Sequence, residues 1–96
     1  MNIIWSEDAI IDYHQNIDYL ITEWSEKLAA EFIEDVEGVL ELIKIQPEIY
    51  PISNYHNIRK AVIRKQISLF YEVKGQKIFL VRFWNNYQNP NNLKLE

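Results

Sequence analysis

The sequence predicts an α+β domain of two layers in the order β-α-α-β-β-β, with a helical hairpin packed on a small, mainly antiparallel sheet. Three observations lead there. Apolar residues recur every three or four positions from Ala9 to Trp24, and again from Leu28 to Ile43, which is the period of two amphipathic helices. Two runs rich in Phe, Tyr, Ile and Val, residues 67–73 and 77–84, flank Lys74-Gly75 and suit a pleated surface. The 96 residues are 48% apolar and include thirteen aromatics, enough for one domain with one core, 1–96.

Taken in order, residues 2–5 form a short apolar strand. Ser6 is a good helix N-cap, and Glu7 and Asp8 fall in a first turn where the helix dipole favours negative charge. Ala9, Ile10, Tyr13, Ile17, Leu20, Ile21 and Trp24 then define a first helix over about 7–22. Ser25 is the next N-cap. Leu28, Phe32, Val36, Val39, Leu40 and Ile43 keep helical spacing, Ala29 and Ile33 widen the stripe, and Glu31, Glu34, Asp35, Glu37 and Glu41 take the other side as a solvated face. Pro47 stops this helix near Ile45. Gly38 costs about 1 kcal/mol against Ala in a helix interior, and close packing of the first helix is what it would permit. So few residues join the helices that an antiparallel hairpin is expected.

Residues 47–57 carry two prolines with Ser53, Asn54 and Asn57, and read as a loop. Residues 58–64 form a strand with Arg59, Lys60 and Arg64 near its ends. The hairpin follows, with Gly75 supplying the positive φ of a tight turn. A two-residue loop at Lys74-Gly75 sets Tyr71 opposite Ile78, Leu69 opposite Leu80 and Ile67 opposite Arg82. It pairs Glu72 with Lys77 and Phe70 with Phe79 on the other side. Leu69, Tyr71, Ile78 and Leu80 then share one face, and Phe70, Phe79 and Val81 the other. One set packs on Tyr13, Ile17, Phe32, Val36 and Leu40. Both faces are apolar, so the hairpin is central and covered on both sides. Residues 85–96 are a polar tail.

Composition excludes several function classes. There is no cysteine, hence no disulfide framework and no thiolate chemistry. No run approaches the roughly 18 apolar residues of a membrane span, and the start lacks the basic region and cleavage site of a signal peptide, so the cytoplasm is the expected location. There is no phosphate-binding glycine loop and no nucleophile elbow. His14 and His56 stand without metal-ligand spacing, so no metal and no cofactor is expected. The net charge of −4 hides an asymmetry: residues 1–48 carry twelve acids and two bases, residues 49–96 two acids and eight bases. Such a split suggests two surfaces with different tasks. A pI near 5.1 counts against sequence-independent binding to nucleic acid.

The basic residues are the one serious candidate for a site. Arg59, Lys60 and Arg64 flank the start of the meander. Arg82 sits inside the last strand at a position otherwise suited to an apolar residue, where it needs a carboxylate, a carbonyl or an open sheet face. Glu7 and Asp12 are the acids within reach for a structural ion pair. No histidine or carboxylate lies among these basic residues in sequence to move protons, so the group is read as a surface that binds target or RNA.

Tyr71-Glu72-Val73, the glycine turn, an apolar strand reaching Arg82, two apolar residues and then a polar run resemble the C-terminal half of the RelE/ParE toxin superfamily. Gln88-Asn89-Pro90 followed by Leu93 resembles the tail of a ParE-like branch known as plasmid stabilisation toxins, and the order of elements along all 96 residues matches. The resemblance implies a curved sheet with the N-terminal strand beside the last. It implies the toxin of a type II toxin–antitoxin pair that inhibits growth by binding a protein, usually DNA gyrase, and is neutralised by a co-encoded antitoxin. Trp5 and Trp24, at element ends, are the expected antitoxin anchors, because large aromatics dominate interface energetics. Two rivals stand beside this. One is a RelE-like endoribonuclease acting on ribosome-bound mRNA, in which Arg82 stabilises the phosphate, Tyr87 acts as acid or base, and Lys60 or Arg64 positions RNA. The other is an interaction module without toxicity. Against the ribonuclease, the C-terminal His-Tyr pair of some nuclease toxins is absent. The chain departs from the ParE-like branch as well: Tyr87 stands where those relatives often carry arginine, so the branch-typical cation is missing, which implies a different working surface or a weakened or inactive member.

Overall fold

The computed structural model describes residues 1–55 and 57–86. The element order is the one the sequence predicts: β1 (Asn2–Trp5), α1 (Glu7–Glu23), α2 (Glu26–Ile45), β2 (Ile58–Arg64), β3 (Ile67–Lys74) and β4 (Lys77–Asn85). Both N-caps form. The Ser6 Oγ accepts from the Ala9 N–H at 3.0 Å and the Ser25 Oγ from the Leu28 N–H at 3.1 Å, each satisfying a donor that the first helical turn leaves free.

The four strands lie in the order β1-β4-β3-β2. β1 runs parallel to β4, and β2, β3 and β4 form an antiparallel meander. The hairpin β3–β4 is therefore central, with β1 and β2 at the edges. The helices cover one sheet face. Between the layers lies the core, where Phe32, Val36 and Ile43 of α2 meet Leu69 and Tyr71 of β3 and Ile78, Leu80 and Phe83 of β4, all essentially without solvent exposure. Tyr13, Ile17 and Leu40 pack against it, half-buried, as predicted. Phe70, Trp84 and Ile58 form a smaller buried cluster with Val81.

The hairpin register differs from the expected one by two residues and a bulge. The loop is Gly75-Gln76, between Lys74 and Lys77, and Gly75 takes φ +58° at its first position. That is the type II′ pattern, which wants glycine first, whereas a loop at Lys74-Gly75 would put it second. Tyr71 thus faces Leu80 and Glu72 faces Phe79, and Glu72 reaches Lys74 along its own strand (3.6 Å) instead of Lys77 across it. A shift of two preserves parity, so Leu69, Tyr71, Ile78 and Leu80 still share the core face.

Farther along, Phe70 faces Arg82 and Leu69 faces Phe83, so Val81 is an extra residue in β4. This bulge corrects the expected place of Arg82. Without it Arg82 would follow Leu80 onto the core face, opposite Leu69 in this register and opposite Ile67 in the expected one. With it Phe83 fills the core, and Arg82 stands level with Phe70. Gly38 also departs from expectation: a side chain there would meet nothing within 4 Å, so close packing of α1 is not its reason.

Candidate functional site

The polar chemistry of this small core gathers where β1 ends. β1 pairs with residues 77–80 of β4 and stops at Trp5, while β4 runs five residues further. Its backbone groups on that side need other partners. The Ser6 N–H donates to the Leu80 carbonyl at 3.1 Å, and the Ser6 hydroxyl to the Val81 carbonyl at 3.0 Å. About two and three helical turns on, α1 continues in the place of a strand. The Phe83 N–H donates to Asp12 Oδ2 at 3.1 Å, and the Asn16 amide donates to the Phe83 carbonyl at 3.2 Å and to the Asp12 carbonyl at 2.9 Å. Asp12 and Asn16 are the buried polar residues of α1, one turn apart among Ala9 and Leu20. Two polar residues at that spacing on an apolar stripe are the signal that would have found them.

Asp12 is also the partner of Arg82. The guanidinium donates through Nε to Oδ2 at 2.6 Å and through Nη2 to Oδ1 at 2.9 Å, a two-pronged pair that leaves the Asp12 side chain 7% exposed. That hydrogen bonding, against a smaller opposing effect of burial, raises the Arg82 pKa further above its ordinary value, so the group stays charged. On its other side the guanidinium lies 5.5 Å from the centre of the Trp84 ring.

The predicted basic residues do not form one surface. Arg59 faces Tyr71, on the core side, and clamps the loop after α2 by donating to the carbonyls of Tyr50 (2.7 Å) and Glu48 (3.2 Å). Arg64 reaches α2 and binds Asp35 at 2.7 Å and Glu31 at 2.9 Å. Those two acids therefore tie helix to sheet, and the face of α2 read as simply solvated is partly an ion-pair seam. Lys60 and Arg82 do come together, on either side of Phe70 across three strands, with the Lys60 ammonium 5.9 Å from the Phe70 ring. Lys60 is exposed and forms no ion pair among the described residues. Tyr87 and His56 lie outside the described residues.

The two tryptophans differ. Trp5 is half-buried, stacked on Phe83 (5.4 Å) and edge-on to Tyr13 (5.2 Å), so its ring belongs to the core's margin. Trp24 is 59% exposed, at the rim of an apolar cavity of about 240 Å³ between the helix connection and the β2–β3 turn, with Leu20, Leu28 and Ile67 in its wall. Burial, helped by the charge of Glu37, pushes the Tyr13 hydroxyl pKa up. Among the described residues no group of three or more potential ligands is placed to hold a metal ion, and no helix is long and apolar enough to cross a membrane.

A family model described as the ParE toxin of the type II toxin–antitoxin system parDE matches residues 3–90. The chain belongs to the ParE toxin family. Its fold is shared with the chromosomal ParDE system from P. aeruginosa, at TM-score 0.73 and 22% identity over 88% of this chain and 95% of that one. The YoeB/ParE toxin from Agrobacterium tumefaciens superposes at TM-score 0.66 and 14% identity, over 88% and 98% of the two chains. A chain of the heterotetrameric YoeB–YefM toxin–antitoxin complex from Staphylococcus aureus does so at 0.61 and 19%, over 88% and 94%. No curated protein sequence matches. At these identities the structural likeness concerns the fold. The expected architecture, a ParE/RelE-type two-layer domain with β1 beside β4, is the one this ParE-family toxin has.

Proposed function

We propose that this ParE-family protein inhibits growth by binding a cellular protein, DNA gyrase in the branch it resembles, and that a co-encoded antitoxin neutralises it. The observation that carries the binding reading over RNA cleavage is the Asp12–Arg82 pair. A ribonuclease needs an uncompensated cation where charge develops on the phosphate. Here the strand arginine is already closed by a carboxylate, and its pKa is raised, so it neither offers free charge nor takes up a proton. In this reading the target meets Lys60 and the outer side of Arg82, while Arg59 and Arg64 act by fixing the loop and the sheet beneath. Trp24 anchors the antitoxin over the apolar cavity. Trp5 contributes at most its exposed edge.

Purified protein decides between the readings. Inhibition of gyrase supercoiling with no cleavage of translated mRNA is the expected result. Cleavage of ribosome-bound message without an effect on supercoiling would transfer the assignment to the ribonuclease, with Arg82 and Tyr87 as the catalytic pair. Inactivity in both assays, with antitoxin binding intact, would leave an interaction module.

A further inference from the structure

The apolar cavity beside Trp24 is walled by parts of the fold that are each held in place. At its rim the Leu20 carbonyl accepts the N–H groups of Trp24 (3.0 Å) and Ser25 (2.9 Å), which fixes the end of α1. One wall is the two-residue turn Lys65-Gln66 between β2 and β3, tied to the end of β4 where the Asn86 N–H donates to the Gln66 carbonyl at 2.6 Å. Leu20 and Ile67 are almost wholly buried, and with Leu28 and the Trp24 ring they make the lining largely apolar. Charge sets this cavity apart. The first 48 residues carry twelve acids and two bases, yet among the described residues no aspartate or glutamate lines it, whereas Arg64 and Lys65 both do. Arg64 is neutralised by Glu31 and Asp35 of α2. Lys65 is exposed and forms no ion pair among the described residues.

A mostly apolar wall with one charged group at its mouth is the anatomy of a small-molecule site. We infer that this cavity binds a small carboxylate bearing a single aromatic ring, with the ring among Leu20, Leu28, Ile67 and Trp24 and the carboxylate on the Lys65 ammonium. Size sets the body of the ligand. The cavity measures about 240 Å³. A cavity of roughly 150 Å³ lined by leucine, isoleucine and phenylalanine already holds benzene, so one ring and a short arm fill this one. A flat ring also suits the exposed indole of Trp24, against which it can stack with an offset or stand edge-on. Charge sets the head. An ammonium would meet Lys65 with like charge and find no acid in the lining, whereas a carboxylate meets a cation that has no other ion-pair partner among the described residues. The walls are fixed before the ligand arrives, so little ordering of the protein opposes binding. The site goes beyond the antitoxin and target readings above and depends on neither.

The test titrates the isotope-labelled full chain with 3-phenylpropionate and follows the nuclear magnetic resonance signals of the Trp24 indole N–H and the amides of residues 65–67. Two probes of the same ring and arm serve as controls, the neutral 3-phenylpropan-1-ol and the cationic 3-phenylpropylamine. The acid should give saturable shifts at these signals. The alcohol should bind roughly fivefold more weakly, the worth of one partly exposed ion pair, and the amine more weakly still. Lys65 and Trp24 are both exposed, so variants at either should fold as the parent does. Lys65→Gln should bring the acid down to the affinity of the alcohol. Trp24→Ala should weaken acid and alcohol by the same factor. The inference is overturned if the acid gives no saturable shift at these signals, if acid and amine bind the parent alike, or if Lys65→Gln keeps the acid's advantage. Shifts of the same signals that follow protein concentration with no probe present would assign the cavity to a second copy of the chain and overturn it as well.

Discussion

Asp12 and Arg82, seventy positions apart, meet through two hydrogen bonds at the point where β1 ends and β4 continues. The same carboxylate accepts the Phe83 N–H. One side chain thus neutralises a guanidinium and completes a strand edge, and so links the first helix to the last strand.

Replacing Asp12 with Ala should accordingly be among the most damaging single changes at a polar site. It takes the two-pronged carboxylate from Arg82, 18% exposed, and the side-chain acceptor from the Phe83 N–H. Breaking one partner of such a pair costs about 3–5 kcal/mol. Arg64→Ala removes contacts to Glu31 and Asp35 that are 45% and 40% exposed, and should cost roughly 1 kcal/mol or less. Urea unfolding of the two variants measures the contrast, and equal losses would contradict it.

Much of the fold could be read from local signals. The caps at Ser6 and Ser25, the stop at Pro47 and the two apolar stripes act within a turn or two of themselves, and each element forms where those signals put it. The hairpin register was less legible, because it is settled by a II′ turn at Gly75-Gln76 and a bulge at Val81 whose advantage is tertiary. The bulge turns Phe83 into the core and Arg82 out of it, which no alternation pattern foretells. The partners of the basic residues were hidden for a related reason. Sequence counts charges and not partners, and Arg59, Arg64 and Arg82 each found one within the chain. Asp12 was in view as a partner for Arg82, but Asn16, its companion on the buried face, was not.

Gly38 offers a gain in stability. It is exposed in the interior of α2, and a methyl group there meets no atom within 4 Å. Gly38→Ala should stabilise the protein by about 0.5–1 kcal/mol, through the helix and the unfolded chain alike. Gly75 is the control. At φ +58° an alanine is strained, and Gly75→Ala should destabilise by about 1 kcal/mol. Thermal melts of both variants should shift in opposite directions.

Stability should also fall at high pH, and Tyr71 supplies part of the reason. Burial, only partly offset by the charge of Arg59, raises its hydroxyl pKa above the ordinary 10.0, and the group donates to the Pro47 carbonyl at 2.8 Å. Below pH 10.0 the hydroxyl is neutral in both folded and unfolded chains, and its contribution is fully present. As pH rises past that value the unfolded chain releases its proton first and so binds fewer. Stability then falls until the folded pKa is passed. Tyr13 acts in the same direction. Tyr71→Phe should lose about 1 kcal/mol at neutral pH with its hydrogen bond. Its stability should decline less steeply than the parent's in alkaline solution. An unchanged slope would mean that Tyr71 does not contribute to it.

Mutations at the proposed target surface must avoid the Asp12 pair, because Arg82→Ala would confound loss of binding with loss of structure. Lys60 is the cleaner probe. It is exposed, forms no ion pair among the described residues and touches Phe70 only through a ring contact at 5.9 Å. Lys60→Glu should therefore leave the unfolding midpoint within about 0.5 kcal/mol of the parent. It should nonetheless weaken target binding and growth inhibition, since reversing one charge at a complementary rim slows association. Tyr87→Phe should change neither if the protein binds and does not cut. Growth assays on folded variants read both at once. A toxic protein indifferent to Lys60→Glu but silenced by Tyr87→Phe would be a ribonuclease. One indifferent to both would place the active surface on the acidic helical hairpin, where the charge has the opposite sign and the target would have to be basic.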